Sequence, residues 1–112
     1  MNLSKTPKIK SLKQKDEITD ILSSGKTIRT KYGPVFFKRI PDEKNNYIGI
    51  LIKKKCGNSV KRNRIKRLIR RFIHHHSSLL DLNNRTIFLY SYIGKIDFAS
   101  LETEYLKAVD KI

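Results

Sequence analysis

Hydrophobic and polar positions follow different periods in different parts of this chain, and each period predicts a kind of element. From residue 59 to residue 75 the apolar side chains recur at steps of three and four, which lines one side of an α-helix. They are Ile65, Leu68, Ile69, Phe72 and Ile73. Asn58 or Ser59 could cap the start of this helix. The pattern predicts a helix over about residues 59–75 with one side packed against a core.

Segments on both sides of this helix are typical of β-strands. Residues 47–52 alternate isoleucines with other largely apolar positions, and residues 86–90 are almost wholly apolar, as expected of strands covered on both faces. A strand, a helix and a strand in succession predict a βαβ unit with the helix as its crossover. Upstream, β-forming residues dominate residues 28–40, where Pro34 indicates a strand start or an edge strand.

The remaining patterns predict a helix near each end of the chain. Ser11 begins a capping-box pattern and Gly25 could end the helix, so the first helix is expected over about residues 12–23. Ser100 could cap a last helix, and residues 1–10 are expected to form an extended basic arm. The chain has 112 residues, the size of one domain, and it shows no repeat or linker.

The distribution of charge along the chain indicates a class of binding partner. The net charge is +15 and the pI is near 10.2, and residues 44–80 hold eleven Lys or Arg but no Asp or Glu. A solvated helix face normally mixes signs, because like charges four residues apart repel. Helix N-termini also favour anions. We therefore expect the basic helix to bind a polyphosphate, and nucleic acid is the leading class of partner.

Other kinds of chemistry find little support in the sequence. No nucleophile elbow, metalloprotease motif, P-loop or dinucleotide fingerprint is present. The run His74–His76 invites a metal site, but consecutive helix residues point about 100° apart, so no metal ligand set is expected. Cys56 has no second cysteine and is expected to be a buried filler. No apolar run approaches the ~20 residues of a membrane span, so a cytoplasmic protein without a membrane partner is expected.

The segment from Lys54 to Arg70 resembles the signature of the bacterial ribonuclease P protein component. It joins a Lys-Lys strand end and a Gly-Asn turn to an Arg-Asn-Arg helix. The resemblance implies an α/β (α+β) two-layer sandwich with a small mixed four-stranded sheet, in the order αβββαβα and with a left-handed βαβ crossover. It also implies one RNA-binding domain over residues 1–112.

The same resemblance implies a function and its residues. The chain is expected to be the protein subunit of an endoribonuclease that removes the 5′ leader of precursor tRNA, with the catalytic centre and Mg²⁺ held mainly by the RNA subunit. No catalytic residue and no cofactor is expected in the protein alone. The residues expected to contact the catalytic RNA are Lys53, Lys54, Lys55, Arg62, Asn63, Arg64, Lys66, Arg67 and Arg70.

The leader is expected in a cleft between the first helix and the sheet. Members of the family commonly place aromatic residues on the cleft side of that helix, whereas this chain has Ile18 and Leu22. Leader contacts are therefore also expected from Phe36 or Tyr32 on the strand side. Two alternatives stay open at this point. One is a non-enzymatic ribosomal or RNA-chaperone protein, and the other is a DNA-binding regulator, which fits poorly because a strand precedes the basic helix.

Overall fold

The computed structural model describes residues 9–43, 45–76 and 84–110, which form a five-stranded sheet and three α-helices. The strands are β1 (Ile9–Ser11), β2 (Lys26–Thr30), β3 (Gly33–Lys38), β4 (Asn46–Ile52) and β5 (Arg85–Tyr90). The helices are α1 (Lys15–Ser24), α2 (Ser59–His75) and α3 (Phe98–Asp110), and a 3₁₀ turn covers Lys54–Cys56.

The order of strands across the sheet is β1-β4-β5-β3-β2. β4 and β5 are parallel neighbours, with Ile48 opposite Thr86 and Ile50 opposite Phe88, and the chain passes through α2 between them. β3 pairs antiparallel with both β5 and β2. This mixed sheet confirms the predicted α+β class and the βαβ unit. The hand of the crossover stays a prediction.

The sheet has five strands, so the expectation of four was wrong. The additional strand is β1, which lies where an extended arm was expected and pairs parallel with β4 from Ile9 opposite Asn46 to Ser11 opposite Ile48. The backbone N–H of Leu12 extends the pairing by donating to the Ile48 carbonyl at 3.0 Å. The polar sequence around Lys10 has no strand pattern of its own. It becomes a strand because the edge of β4 offers unpaired backbone groups.

The β-rich segment 28–40 forms a hairpin of two strands. Thr30 and Gly33 are paired, so the chain turns at Lys31 and Tyr32. The Tyr32 N–H donates to the Thr30 hydroxyl at 3.1 Å, and that hydroxyl donates to the Gly33 carbonyl at 2.7 Å. Gly33 has φ +129°, a conformation that favours glycine.

Two helix starts differ from the sequence prediction. α1 begins at Lys15 after Gln14, which makes no side-chain cap, because Ser11 and Leu12 are held against β4. α3 begins at Phe98, ahead of the expected Ser100 cap. The Asp97 carboxylate accepts from the Ser100 N–H at 2.8 Å and from its hydroxyl at 3.2 Å, so Asp97 caps this helix instead.

The helices lie on both faces of the sheet. α2 and α3 cover one face, where the buried cluster includes Phe37, Phe72, Phe88 and Tyr105. α1 covers part of the other face around Ile21 and two further buried residues, Leu12 and Ile87. Alternation along β5 directs Ile87 to one face and Phe88 to the other. The sheet thus separates two buried apolar clusters.

Candidate nucleic-acid interface

Helix α2 has the bounds and the orientation that its periodicity predicts. Asn58 caps it, since its Oδ1 accepts from the Lys61 N–H at 2.9 Å. The packed side of the helix is apolar, with Ile65, Ile69, Phe72 and Ile73 buried and Leu68 partly buried. Because that side faces the sheet, the basic residues of the helix are turned toward solvent.

The solvent side of α2 carries cations that no carboxylate neutralises within the described ranges. Asn63, Arg64, Arg67 and Arg70 are exposed, whereas Arg62 and Lys66 are half-buried. Ion pairs among the described residues lie on other parts of the chain, and they include Lys38 with Asp20, His76 with Glu102, and Arg85 with Glu17 and Glu43. The N-terminal half of α2 therefore carries a dense positive charge on its solvent side.

The 3₁₀ turn brings the lysine triplet beside this surface. Lys53, Lys54 and Lys55 are exposed, whereas Cys56 is buried at 1% exposure, which confirms the predicted filler role. The Cys56 N–H donates to the Lys53 carbonyl at 3.0 Å, and Gly57, with φ +140°, turns the chain into α2. We call these three lysines, together with Arg62, Asn63, Arg64, Lys66, Arg67 and Arg70, the cationic face. All nine are the residues that the sequence nominated.

A groove runs between the cationic face and the edge of β4. Its volume is about 340 Å³, and it is lined by Arg62, Asn63, Lys66, Ser59 and β4 residues Ile50, Leu51 and Ile52. Within the described chain β1 pairs with β4 only as far as Ile48, so the edge beyond it has no neighbouring strand. The open edge of β4 therefore offers unpaired backbone groups to a ligand in this groove.

Two basic residues outside the nominated set extend this surface. Lys10 and His74 line a smaller cavity of about 160 Å³ together with Arg70 and Ser11. The sequence separates Lys10 from His74 by more than sixty positions, and only the pairing of β1 with β4 brings them together. The polar neighbourhood of Lys10 gave no signal of this placement.

The cleft side of the sheet unites three of the four residues expected to contact the leader. Ile18 and Leu22 of α1 and Phe36 of β3 are partly buried around the same cluster. The fourth, Tyr32, lies on the opposite side of the sheet. Its ring is 1% exposed and stacks on Tyr90 at 5.8 Å between ring centroids. The nomination of Tyr32 as a cleft residue is therefore corrected, because the turn before Gly33 directs its ring into the other core.

Tyr47 and Arg85 belong to the cleft side but were not nominated from the sequence. Tyr47 is partly buried in the cleft cluster, and the Arg85 guanidinium lies 4.3 Å from its ring centroid. Arg85 also donates to Glu17 at 2.8 Å and Glu43 at 3.2 Å. Burial alone would lower the pKa of Arg85, but these hydrogen bonds outweigh it and the pKa is raised. The alternation of residues 47–52 was the available signal for Tyr47.

The fold and the interface together define a small basic α+β protein with a candidate nucleic-acid-binding face. Residues 6–112 match the family model described as Ribonuclease P. The chain is 28% identical to the "Ribonuclease P protein component" of Geobacter sp. (strain M21), over 100% of this chain and 96% of that protein. It is 31% identical to the protein of the same name from Thermoanaerobacter sp. (strain X514), over 93% of this chain and 90% of that protein.

Solved structures agree with the family model. The RNase P protein from Thermotoga maritima matches with a TM-score of 0.79 at 19% identity, over 92% of this chain and 97% of that chain. The RNase P protein from Staphylococcus aureus matches with a TM-score of 0.69 at 25% identity, over 99% of this chain and 92% of that chain. The chain belongs to the ribonuclease P protein family. Membership places it in tRNA processing, as a protein component of a ribonucleoprotein.

A helix that spans a bilayer needs about 20 predominantly apolar residues. Among the described residues, no helix is both long enough and apolar enough to cross a membrane.

Proposed function

We propose that this chain is the protein subunit of ribonuclease P and that the cationic face binds the catalytic RNA. The partner is then the RNA subunit, with precursor tRNA as the common substrate. The supporting observation is the uncompensated charge of α2. Its exposed arginines include Arg67 and Arg70, and no ion pair in the described ranges uses them. Phosphates supply the missing negative charge, and arginine binds them through two parallel hydrogen bonds.

In this proposal the protein binds RNA and leaves bond cleavage to the RNA subunit. The particle hydrolyses the phosphodiester bond that joins the leader to the mature 5′ end of tRNA, and Mg²⁺ is held mainly by RNA. Three described carboxylates near the cleft are already engaged, since Glu17 and Glu43 bind Arg85 and Asp20 binds Lys38. The protein contributes by neutralising phosphates, which lets two RNAs approach each other at a lower Mg²⁺ concentration.

The 5′ leader is proposed to lie against Ile18, Leu22 and Phe36. These side chains are only partly buried, so they offer an apolar surface between α1 and the sheet. Leu51 links this surface to the cationic face, because it belongs to the cleft cluster and also lines the groove beside Arg62. A strand of RNA could therefore pass around the open edge of β4 from one surface to the other.

Reconstitution tests the proposed subunit role. Purified chain is added to a ribonuclease P RNA and a precursor tRNA at low Mg²⁺, and accurate 5′ cleavage is measured. We expect the chain to raise the rate and Arg67→Glu to reduce that gain about tenfold or more, because it replaces a phosphate contact by repulsion. Lys107→Glu makes the same charge change on exposed α3 and should leave the gain intact.

Two outcomes would contradict the role. An RNA that cleaves equally well with and without the chain would argue for a binding protein of another particle. Equal losses with Arg67→Glu and Lys107→Glu would show that net charge matters and that the position of the charge does not.

Substrates with long and short leaders test the cleft. Phe36→Leu keeps an apolar side chain but removes the ring, and stacking on a ring contributes about 1–3 kcal/mol per base. We expect the variant to bind long-leader precursor about fivefold or more weakly and one-nucleotide-leader precursor normally. Phe98→Leu, a partly buried aromatic on the other side of the sheet, is the matched control. An equal loss of affinity for both substrates would show that the leader does not contact Phe36.

A further inference from the structure

A second groove lies on the other side of α2 from the β4 edge. It has a volume of about 500 Å³, and we call it the loop groove. Its lining residues are Lys61, Arg64 and Ile65 of α2 and Ile93, Gly94, Lys95 and Ile96 of the segment between β5 and α3. Only Arg64 belongs to the cationic face, so the proposed function leaves most of this groove unexplained.

The segment that forms the outer wall is anchored to the core. The Ser91 N–H donates to the Tyr32 carbonyl at 2.8 Å, and the Tyr92 ring meets the Tyr32 ring edge-on with centroids 5.2 Å apart. Gly94 lies so close to Tyr92 that an added Cβ would be 2.6 Å from its ring. The Ile93 side chain is 63% exposed to solvent, and these contacts fix the segment in the position that exposes it.

The loop groove combines an apolar lining with a positive rim. Ile65, Ile93 and Ile96 supply the apolar lining, and no carboxylate lines the groove. The nearest acidic neighbour in sequence, Asp97, does not line the groove, and its carboxylate accepts two hydrogen bonds from Ser100. A nucleotide has the complementary chemistry, since its base presents apolar faces and its phosphates are anionic. A second copy of this chain would bring cations against cations.

We propose that the loop groove binds one unstacked nucleotide of the RNA subunit. Its base lies against Ile93 and Ile96, and Lys61, Arg64 and Lys95 bind the adjoining phosphates. The inference rests on the proposed function, because Arg64 joins the groove to the cationic face. The RNA subunit is favoured over the leader because α1 and its cleft lie on the opposite side of the sheet.

Site-directed photocrosslinking tests the location. The sequence has a single cysteine, Cys56, which is buried, so Ile93→Cys provides one accessible thiol for a photoreactive probe. In the reconstituted particle we expect a crosslink to an unpaired nucleotide of the RNA subunit. The same probe on Lys107→Cys, exposed on α3, should give none. A crosslink only to precursor tRNA, only to paired RNA, or to no RNA in an assembled particle would overturn the proposal.

Binding to the RNA subunit tests the contribution of the groove. Ile93→Asp should weaken binding about tenfold, because it removes an apolar contact and adds repulsion of phosphate. Thr103→Asp is the control, since Thr103 is exposed on α3 and does not line the groove. Unfolding by urea checks that both variants fold. An Ile93→Asp protein that folds and binds like the Thr103→Asp protein would overturn the proposal.

Lys95→Gln provides an independent check, because Lys95 lies outside α2. It should lower the slope of log affinity against log salt by about 0.7 to 0.9, the value for one bound phosphate. An unchanged slope would overturn the assignment of the rim. If Arg67→Glu weakens RNA binding but Ile93→Asp does not, only the loop groove fails. If Arg67→Glu also has no effect, the proposed function itself fails.

Discussion

At the scale of single residues, Gly33 decides how the hairpin of β2 and β3 meets β5. Its φ of +129° is rarely adopted by other residues, and an added Cβ would lie 2.2 Å from the Leu89 carbonyl oxygen. Gly57 has a similar φ of +140°, but there the close atoms belong to the flexible side chain of Lys61. The two glycines thus share a backbone conformation and differ in what surrounds them.

Gly33→Ala should therefore destabilise the protein more than Gly57→Ala. The strained backbone costs about 1–3 kcal/mol at either position. Only at position 33 must a strand of the sheet also move, so we expect its free energy of unfolding to fall by at least about 1 kcal/mol more. Urea unfolding of both variants measures the difference. Equal losses would mean that backbone conformation alone determines the cost.

A second residue-scale prediction concerns pH. The hydrogen bond from Lys38 lowers the pKa of the Asp20 carboxyl below its ordinary value of 3.8. The unfolded chain then takes up this proton at a higher pH than the folded chain does. The stabilisation by Asp20 is therefore complete above about pH 3.8 and is lost as the pH falls through the folded pKa.

Asp20→Asn should be less stable than the parent protein above this range and should approach it in stability below. Melting temperatures measured as the pH is lowered report the difference. Lys38→Met removes the other partner, and the double variant should lose no more than either single variant. A constant difference between parent and Asp20→Asn across the acidic range would contradict the prediction.

At the scale of elements, α2 has one apolar side and one basic side along its whole length. Its apolar stripe determines which side packs on the sheet, so the arginines must face outward. Lys66 with Arg70 and Arg67 with Arg71 are like-charge pairs four residues apart, which weakens the isolated helix. By contrast, α1 and α3 do not start where the cap patterns predict. Ser11 pairs with β4 and does not cap α1, and Asp97 caps α3 in place of Ser100.

The outward charge of α2 predicts a salt-dependent affinity for RNA. Arg70→Glu should weaken binding and lower the slope of log affinity against log salt by about 0.7 to 0.9 for each phosphate that it no longer binds. Filter binding over a range of KCl concentrations measures the slope, with Lys107→Glu as the control. A variant with the parent's slope would place the RNA-binding surface on another element.

At the scale of the whole molecule, net charge opposes folding. The chain carries +15, and the part of it on α2 lacks carboxylate partners among the described residues. Two clusters separated by the sheet supply the apolar burial that offsets this repulsion. Any anion that binds the folded surface more strongly than the unfolded chain should shift the equilibrium toward folding.

Sulfate or phosphate should therefore raise the melting temperature of the free protein. Chloride at the same ionic strength separates binding from general screening, and it should raise the melting temperature less. Arg67→Glu combined with Arg70→Glu should reduce the difference between the two salts. Equal effects of sulfate and chloride would show that screening alone stabilises the protein.

The sequence by itself determined the elements whose pattern is long and local. The bounds of α2, a cap at Asn58 or Ser59 and the strands on either side follow from the period of the apolar residues, because a helix of this length repeats its apolar stripe several times. A distinctive motif joining the lysine triplet to the Arg-Asn-Arg helix indicated the family, and that resemblance implied the nine residues of the cationic face.

Only the tertiary structure decided the features that depend on distant partners. β1 forms because β4 has an open edge, which the polar residues around Lys10 do not reveal. Tyr32 lies away from the cleft because the turn before Gly33 directs its ring into the core on the other face of the sheet. The loop groove depends on Tyr92 packing against Tyr32. Each of these pairings joins segments far apart in the chain, so no local pattern of residues encodes it.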